Sequence, residues 1–170
     1  VALLSANRAE FMIAYMGILR AGLVAVPINY KFSAEIITFI LADADVRLAI
    51  CDAERAAALR SDVPVVCFDT DGKVSFDTLM HPGPFDVYTA IETDVAMVLY
   101  TSGSTGRPKG VPLTHAGHLW ALRSRLGAFD QHRLLVAAPL YHMNALCVSL
   151  VAWASKAQTL TLLPGGSQWG

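Results

Sequence analysis

No stretch of this sequence is apolar for long enough to cross a membrane. A spanning helix needs about 18 consecutive apolar residues. The longest candidate, Met143 to Ala154, is interrupted by Asn144 and Ser149 and followed by Lys156. An excess of one charge is also missing. Thirteen Lys and Arg stand against 14 Asp and Glu, a net charge of −1. There is no basic patch of the kind that carries nucleic-acid affinity, so no nucleic-acid partner is expected. Cysteine is scarce: Cys51, Cys67 and Cys147 are widely separated, odd in number and without ligand spacing. They read as buried thiols in a reducing compartment, which predicts a cytoplasmic protein rather than a disulfide framework or a cysteine metal site. Internal repeats and low-complexity segments are absent, and the opening residues do not read as a secretory signal, which would begin with a charged region and an apolar stretch. The chain opens with "VALLSAN", a strand already in progress and without an initiator methionine, and is expected to begin inside a domain.

What is abundant is apolar surface. Hydrophobic residues make up 54% of the 170, and the mean hydropathy of +0.45 is high for a chain of this length. Without a spanning run, the excess is expected in buried sheets belonging to a larger body. Short apolar runs alternate with stretches of helical period. "VALLS" (1–5), "VAVPIN" (24–29), "RLAICD" (47–52) and "VPVVCFD" (63–69) read as strands. Asn7 with Glu10 marks a helix start, and Phe11, Met12, Tyr15, Met16, Leu19 and Leu23 fall on one helical face that Gly22 ends. Ser33 caps a second helix with Ile36, Ile37, Ile40 and Leu41 inward, and residues 53–60 read as a third. Residues 69–94 are irregular and read as a connector between a first half, 1–68, and a second, 95–170. In the second half, strands are expected at 95–101, 133–139 and 159–164, and helices at 115–126, capped by Thr114, and at 144–156. Strands alternating with helices predict an α/β fold: a mostly parallel sheet of βαβ units with helices on both faces.

One stretch is too polar to build a core. "YTSGSTGRPKG" runs from Tyr100 to Gly110 directly after a predicted strand. Gly103 and Gly106 can take positive φ and bring backbone N–H groups close to a ligand, forming a concave anion nest. Thr101, Ser102, Ser104 and Thr105 add hydroxyl donors, and Lys109 adds a point charge suited to phosphate. Ligands in open α/β sheets gather at the carboxyl ends of strands. The Walker A order fails, because Lys109 precedes Gly110, and Gly103 and Gly106 supply half of the dinucleotide fingerprint. On composition two readings stand, a phosphate cradle and a solvated surface loop.

The stretch "YTSGSTGRPKGV" resembles, without a break, the signature loop of the adenylate-forming superfamily, which includes acyl-CoA synthetases, the adenylation domains of peptide synthetases and firefly-type luciferases. "NRAEFMIAYMGILRAGLVAVPIN", "THAGHLW" and "APLYHMNAL" are similar to other segments of that family in the same order. The resemblance spans essentially the whole chain, and it implies that this is a piece of the large N-terminal domain. It assigns Thr101, Ser102, Gly103, Ser104, Thr105, Gly106 and Lys109 to the triphosphate of ATP, and places His142 beside the acyl or aryl pocket. Asn144 and Ala145 stand where the family often has a glycine. No catalytic residue and no metal ligand is assigned within these residues. His81, His115, His118 and His132 read as surface or capping residues.

The implied activity is ATP-dependent conversion of a carboxylic acid to an acyl-adenylate, followed by transfer to coenzyme A, with ATP and magnesium required; fatty acid metabolism is one setting that fits. The family's adenine, ribose and magnesium contacts and its C-terminal lysine come from segments outside this chain, so these residues alone are expected to be inactive. An amino-acid-adenylating domain is the nearest alternative. Such domains usually carry an Asp in the segment matching "YHMNAL", which here has no acid. A non-catalytic nucleotide-binding module is a further alternative, which the intact loop argues against.

Overall fold

The computed structural model describes residues 1–57, 59, 61–101, 107–127, 129–130 and 132–163. At its centre lie four short parallel strands: β1 (Ala2–Leu4), β2 (Val26–Pro27), β3 (Ala49–Cys51) and β4 (Val65–Cys67), in the order β2-β1-β3-β4. Leu3 stands beside Pro27 on one side and Ile50 on the other, and Cys51 beside Cys67. Alternation along these strands sends neighbours to opposite faces. Leu3 and Ile50 join Phe11, Tyr15 and Ile18 of helix α1 (Ala9–Arg20) and Leu146 and Leu150 of helix α5 (Met143–Ala154) in one core. Ala2, Leu4, Ala49 and Cys51 face the other way, onto Ile37, Ile40 and Leu41 of helix α2 (Ala34–Asp43). Helices therefore cover both faces, as the sequence predicts. Each fully buried large aliphatic side chain contributes about 1.5–3 kcal/mol, which is what makes three-residue strands sufficient.

The remaining elements join this centre at its edges. Strand β5 (Val95–Thr101) runs parallel to β2 through one bridge, Ala25 to Met97. The Ala25 N–H donates to the Ala96 carbonyl at 3.0 Å, and the Val98 N–H donates to the Ala25 carbonyl at 2.9 Å. Strand β6 (Lys109–Thr114) pairs antiparallel with β5, and helix α4 (His115–Arg123) follows. Strands β7 (Arg133–Val136) and β8 (Thr159–Leu162) form a parallel pair flanking α5. Among the described residues, no helix is long and apolar enough to cross a membrane.

Several expectations are corrected. Asn7 does not cap α1. Arg8 holds the N-cap position with extended backbone and no side-chain bond, because the Asn7 amide is engaged elsewhere in the molecule. Leu23 is 49% exposed, beyond the helix end at which Gly22 turns the chain. Gly22 has φ +73, and a Cβ there would come within 2.5 Å of the Tyr88 ring. The strand expected over 24–29 is reduced to two residues around Pro27, which has no N–H for a ladder. The third helix, α3 (Ala53–Ala56), is one short turn with no buried residue to hold it, and Ala58 and Arg60 lie outside the described residues. Helix α4 ends at Arg123 rather than Leu126. Strand β6 has no counterpart in the sequence reading. Gly110 and Pro112 mask it, and an edge strand tolerates both. Ser33 and Thr114 do cap their helices, accepting from the Ile36 and Gly117 N–H groups at 3.4 and 3.2 Å. Between residues 69 and 94 the chain makes two 3-10 turns, Gly72–Val74 and Phe76–Leu79.

Candidate functional site

The polar stretch begins at the carboxyl end of β5 and ends at the start of β6. Ser102, Gly103, Ser104, Thr105 and Gly106 lie outside the described residues. The two residues that bracket them with an assigned role are in view. Thr101 and Lys109 are register partners, the last pair of the hairpin before its loop, and both are exposed. Lys109 therefore belongs to a strand rather than to the loop itself. Among the described residues it forms no ion pair.

The hairpin mouth is anchored to α2. The Tyr100 hydroxyl donates to Asp43 Oδ2 at 2.6 Å. Burial, and then this carboxylate, raise the pKa of the Tyr100 phenol and keep it a donor. On the other shoulder, the Arg107 guanidinium sits 5.4 Å above the Phe39 ring. Phe39 and Asp43 are four residues apart, one turn of α2. Gly110 allows the two strands to close. A Cβ there would lie 3.0 Å from Val98 and 3.1 Å from the Tyr100 ring, tighter than ordinary packing. Sequence reading missed Asp43 and Phe39, because neither carries a local signal for a hairpin nearly 60 residues away.

His142 sits at the N-cap of α5, exposed, and makes no capping bond through its side chain. Its ring packs 4.6 Å from that of Tyr141, and Tyr141 meets Tyr30 edge-on at 5.4 Å. Burial, and then Tyr30, raise the pKa of Tyr141. Tyr30 lies under the Arg55 guanidinium at 4.1 Å, and Arg55 pairs with Asp52. Asp52 is buried directly after β3, where it also accepts from the Ser5 hydroxyl at 2.7 Å, the Ala6 N–H at 3.1 Å and Arg8 at 3.1 Å. Asn7, which follows β1, bonds to Ala138 and Leu140, which follow β7. The segments that follow β1, β3 and β7 are thus bonded to one another at the carboxyl ends of their strands, where α/β proteins bind ligands. Among the described residues, no three His, Cys, Asp or Glu side chains come together as metal ligands.

His118 departs from its expected surface role. It is 7% exposed, and its Nε2 lies 2.6 Å from the Tyr15 hydroxyl. Burial, and then His115, lower its pKa. It lines an apolar cavity of about 490 Å³ with Met16, Leu19, Leu119, Leu150 and Trp153. Helix α4 starts after Thr114, the register partner of Val95, so this cavity lies at the end of the hairpin remote from the polar loop. The cysteines are free: Cys51 and Cys67 are buried and Cys147 is half-buried. Burial, and then Cys67, push the Cys51 thiol up to about 12.

The segment that joins β5 to β6 carries glycines and hydroxyl side chains between Thr101 and Lys109, residue types suited to the phosphates of a nucleotide. The family described as AMP-binding enzyme matches residues 1–169. The chain belongs to this family. Among curated relatives, the long-chain-fatty-acid–CoA ligase FadD13 of Mycobacterium tuberculosis is 33% identical, over 96% of this chain and 34% of its own length. A feruloyl-CoA synthase of Amycolatopsis is also 33% identical, over 95% of this chain and 33% of the relative. The chain thus spans about a third of the length of the curated relatives it matches. Among solved structures, o-succinylbenzoate coenzyme A synthetase (MenE) of Bacillus subtilis, in complex with ATP and magnesium ion, aligns with a TM-score of 0.78 at 26% identity. That match covers 98% of this chain and 44% of the other. Family membership agrees with the resemblance carried by the loop, and the shared fold agrees with the expected α/β architecture.

Proposed function

We propose that the full-length protein activates a carboxylic acid with ATP and transfers the acyl group to coenzyme A, and that this chain supplies part of the large N-terminal domain in which the acid and ATP meet. The observation that carries the reading is the Thr101–Lys109 pair at the mouth of a hairpin whose loop holds Ser102, Gly103, Ser104, Thr105 and Gly106. By residue type, the stretch offers hydroxyls, backbone N–H groups and one ammonium to the β- and γ-phosphates. In the first step a carboxylate oxygen of the acid attacks the α-phosphorus. A new P–O bond forms, the bond to the β-phosphate oxygen breaks, and pyrophosphate leaves with the electron pair. In the second step the sulfur of coenzyme A attacks the acyl carbon, its proton is lost, and AMP departs.

The loop's part is electrostatic. Two anions approach each other while negative charge builds on the leaving pyrophosphate. Donors held where that charge develops lower the barrier, and holding the phosphates in line lowers it further. Magnesium, bound through phosphate oxygens, would neutralise part of the same charge. His142 stands on the acid side, next to Tyr141. The absence of an acid in "YHMNAL" favours a substrate without an α-amino group. The CoA-ligase names of the relatives support coenzyme A as the thiol, and fatty and aromatic acids as the classes to test first.

The test is acid-dependent exchange of labelled pyrophosphate into ATP by the full-length protein, screened over fatty, aromatic and dicarboxylic acids. Exchange with at least one acid, followed by coenzyme A-dependent AMP release, is expected. Nucleotide binding without exchange for any acid would leave a non-catalytic nucleotide-binding module in place of the ligase. Residues 1–170 alone are expected to form no acyl-adenylate under the same conditions.

A further inference from the structure

Asn7 is 5% exposed and lies between two parts of the chain far apart in sequence. Its Nδ2 donates to the Ala138 carbonyl at 2.9 Å, and the Leu140 N–H donates to its Oδ1 at 2.7 Å, contacts spanning 131 and 133 residues. One planar amide thus holds two backbone groups on either side of Pro139 and sets the direction of the chain there. The turn that follows carries His142 straight into α5. The His142 N–H donates to the Pro139 carbonyl at 3.0 Å, and the Leu146 N–H donates to the His142 carbonyl at 3.1 Å. His142 adds no capping bond of its own, so its position depends on how residues 138–140 are held. The arrangement comes at the expense of α1. Asn is among the best N-cap residues, yet the Asn7 amide serves the distant turn and leaves Arg8 at the cap without a side-chain bond.

We infer that Asn7 is a positioning residue for His142, fixing the acid side of the site from the carboxyl end of β1. The inference rests on the reading of His142 as an acid-side residue. The two bonds exploit both halves of the amide, a donor and an acceptor fixed in one plane on a short side chain. Loss of either half frees the backbone ahead of His142 while leaving the hairpin that holds Thr101 and Lys109 attached through β2.

The experiment uses the full-length protein with the acid identified by the exchange screen. Asn7→Ala, His142→Ala and the double variant are compared by kcat and KM for the acid and for ATP, alongside thermal unfolding. Asn7→Ala is expected to lower kcat/KM for the acid by about 10- to 100-fold, the range that a misplacement near 1 Å can produce. KM for ATP is expected to stay within about twofold. In the His142→Ala background the same substitution should change kcat/KM by less than about threefold, since two groups acting as a unit are not additive. Should Asn7→Ala not fold, Asn7→Asp serves in its place. It keeps the acceptor for the Leu140 N–H and sets a carboxylate oxygen against the Ala138 carbonyl. An undiminished kcat/KM in the Asn7 variant, or the same loss with and without His142, would overturn the inference. If His142→Ala leaves acid kinetics untouched while Asn7→Ala impairs them, the reading of His142 fails first and takes the positioning role with it.

Discussion

The four-stranded centre and the β5–β6 hairpin are built on opposite plans. Every residue of β1 and β3 is buried, and helices close over both faces. Along β6 the first four residues are exposed, and its outer edge pairs with nothing else among the described residues. The centre carries none of the residues assigned to phosphate, whereas the hairpin carries Thr101 and Lys109 at its mouth. Apolar burial supplies stability without direction. A phosphate site needs directed donors that water can reach before the ligand arrives. The hairpin is held at its base, where β5 buries Ala96 and Met97 and bonds to Ala25, and it gives up burial toward its mouth, which Tyr100 and Arg107 anchor to α2.

The comparison breaks most readily at its stable end. Ile40 is 0% exposed in the core between α2 and the sheet. Ile40→Ala is expected to cost about 2–5 kcal/mol of stability by leaving a cavity. Denaturant unfolding of the full-length protein, followed by a probe in this body, measures it. A loss below about 1 kcal/mol would mean that the site collapses or is shared with water.

Lys109→Ala tests the other plan. Its expected effect is on function: kcat/KM for ATP should fall by the equivalent of about 1.5–3 kcal/mol, the worth of a hydrogen bond to a charged group. Stability should change by no more than about 0.5 kcal/mol, as for most surface substitutions. Unchanged adenylation kinetics would remove Lys109 from the phosphate site. Tyr100→Phe asks how much the anchor contributes. The bond to Asp43 is exposed, so the expected loss in kcat/KM for ATP lies near the low end of about 0.5–1.5 kcal/mol. KM for the acid should not move.

The smallest effect concerns pH and the remote cavity. Burial favours neutral His118, so its folded pKa lies below the ordinary 6.5. The unfolded chain then binds the proton more readily, and stability falls as pH drops below 6.5 toward the folded value. Between pH 7 and 8 this group contributes no slope. His118→Gln should flatten the decline in melting temperature between pH 6.5 and 5 relative to the parent protein. An identical decline in both would assign that acid sensitivity to other groups.

Local chemistry was legible wherever a residue's neighbours in sequence are also its partners in space. Ser33 and Thr114 cap helices because a cap bond reaches three residues along the chain. Gly22 ends α1 because the positive φ and the missing Cβ are properties of that one residue. Asn7 was misread for the opposite reason. Its local context is that of a helix cap, but its partners stand 131 and 133 residues away. His118 looked like a surface residue because nothing adjacent reveals that α4 packs its ring onto Tyr15. Strand β6 was hidden by Gly110 and Pro112, which break an isolated strand but are tolerated on an edge.

By itself the sequence determined the alternation of apolar runs and helical stretches, hence the α/β class, and the cluster of glycines, hydroxyls and Lys109 that fits phosphate. Both follow from periodicity and side-chain chemistry, which need no long-range contact. The tertiary structure alone decided that Thr101 and Lys109 face each other across a ladder, that Asp43 and Phe39 anchor the mouth of that hairpin, and that the turn bearing His142 is held by Asn7. Each of these joins groups distant in sequence. Such contacts arise when burial of the two apolar faces of the sheet brings the carboxyl ends of its strands to one edge.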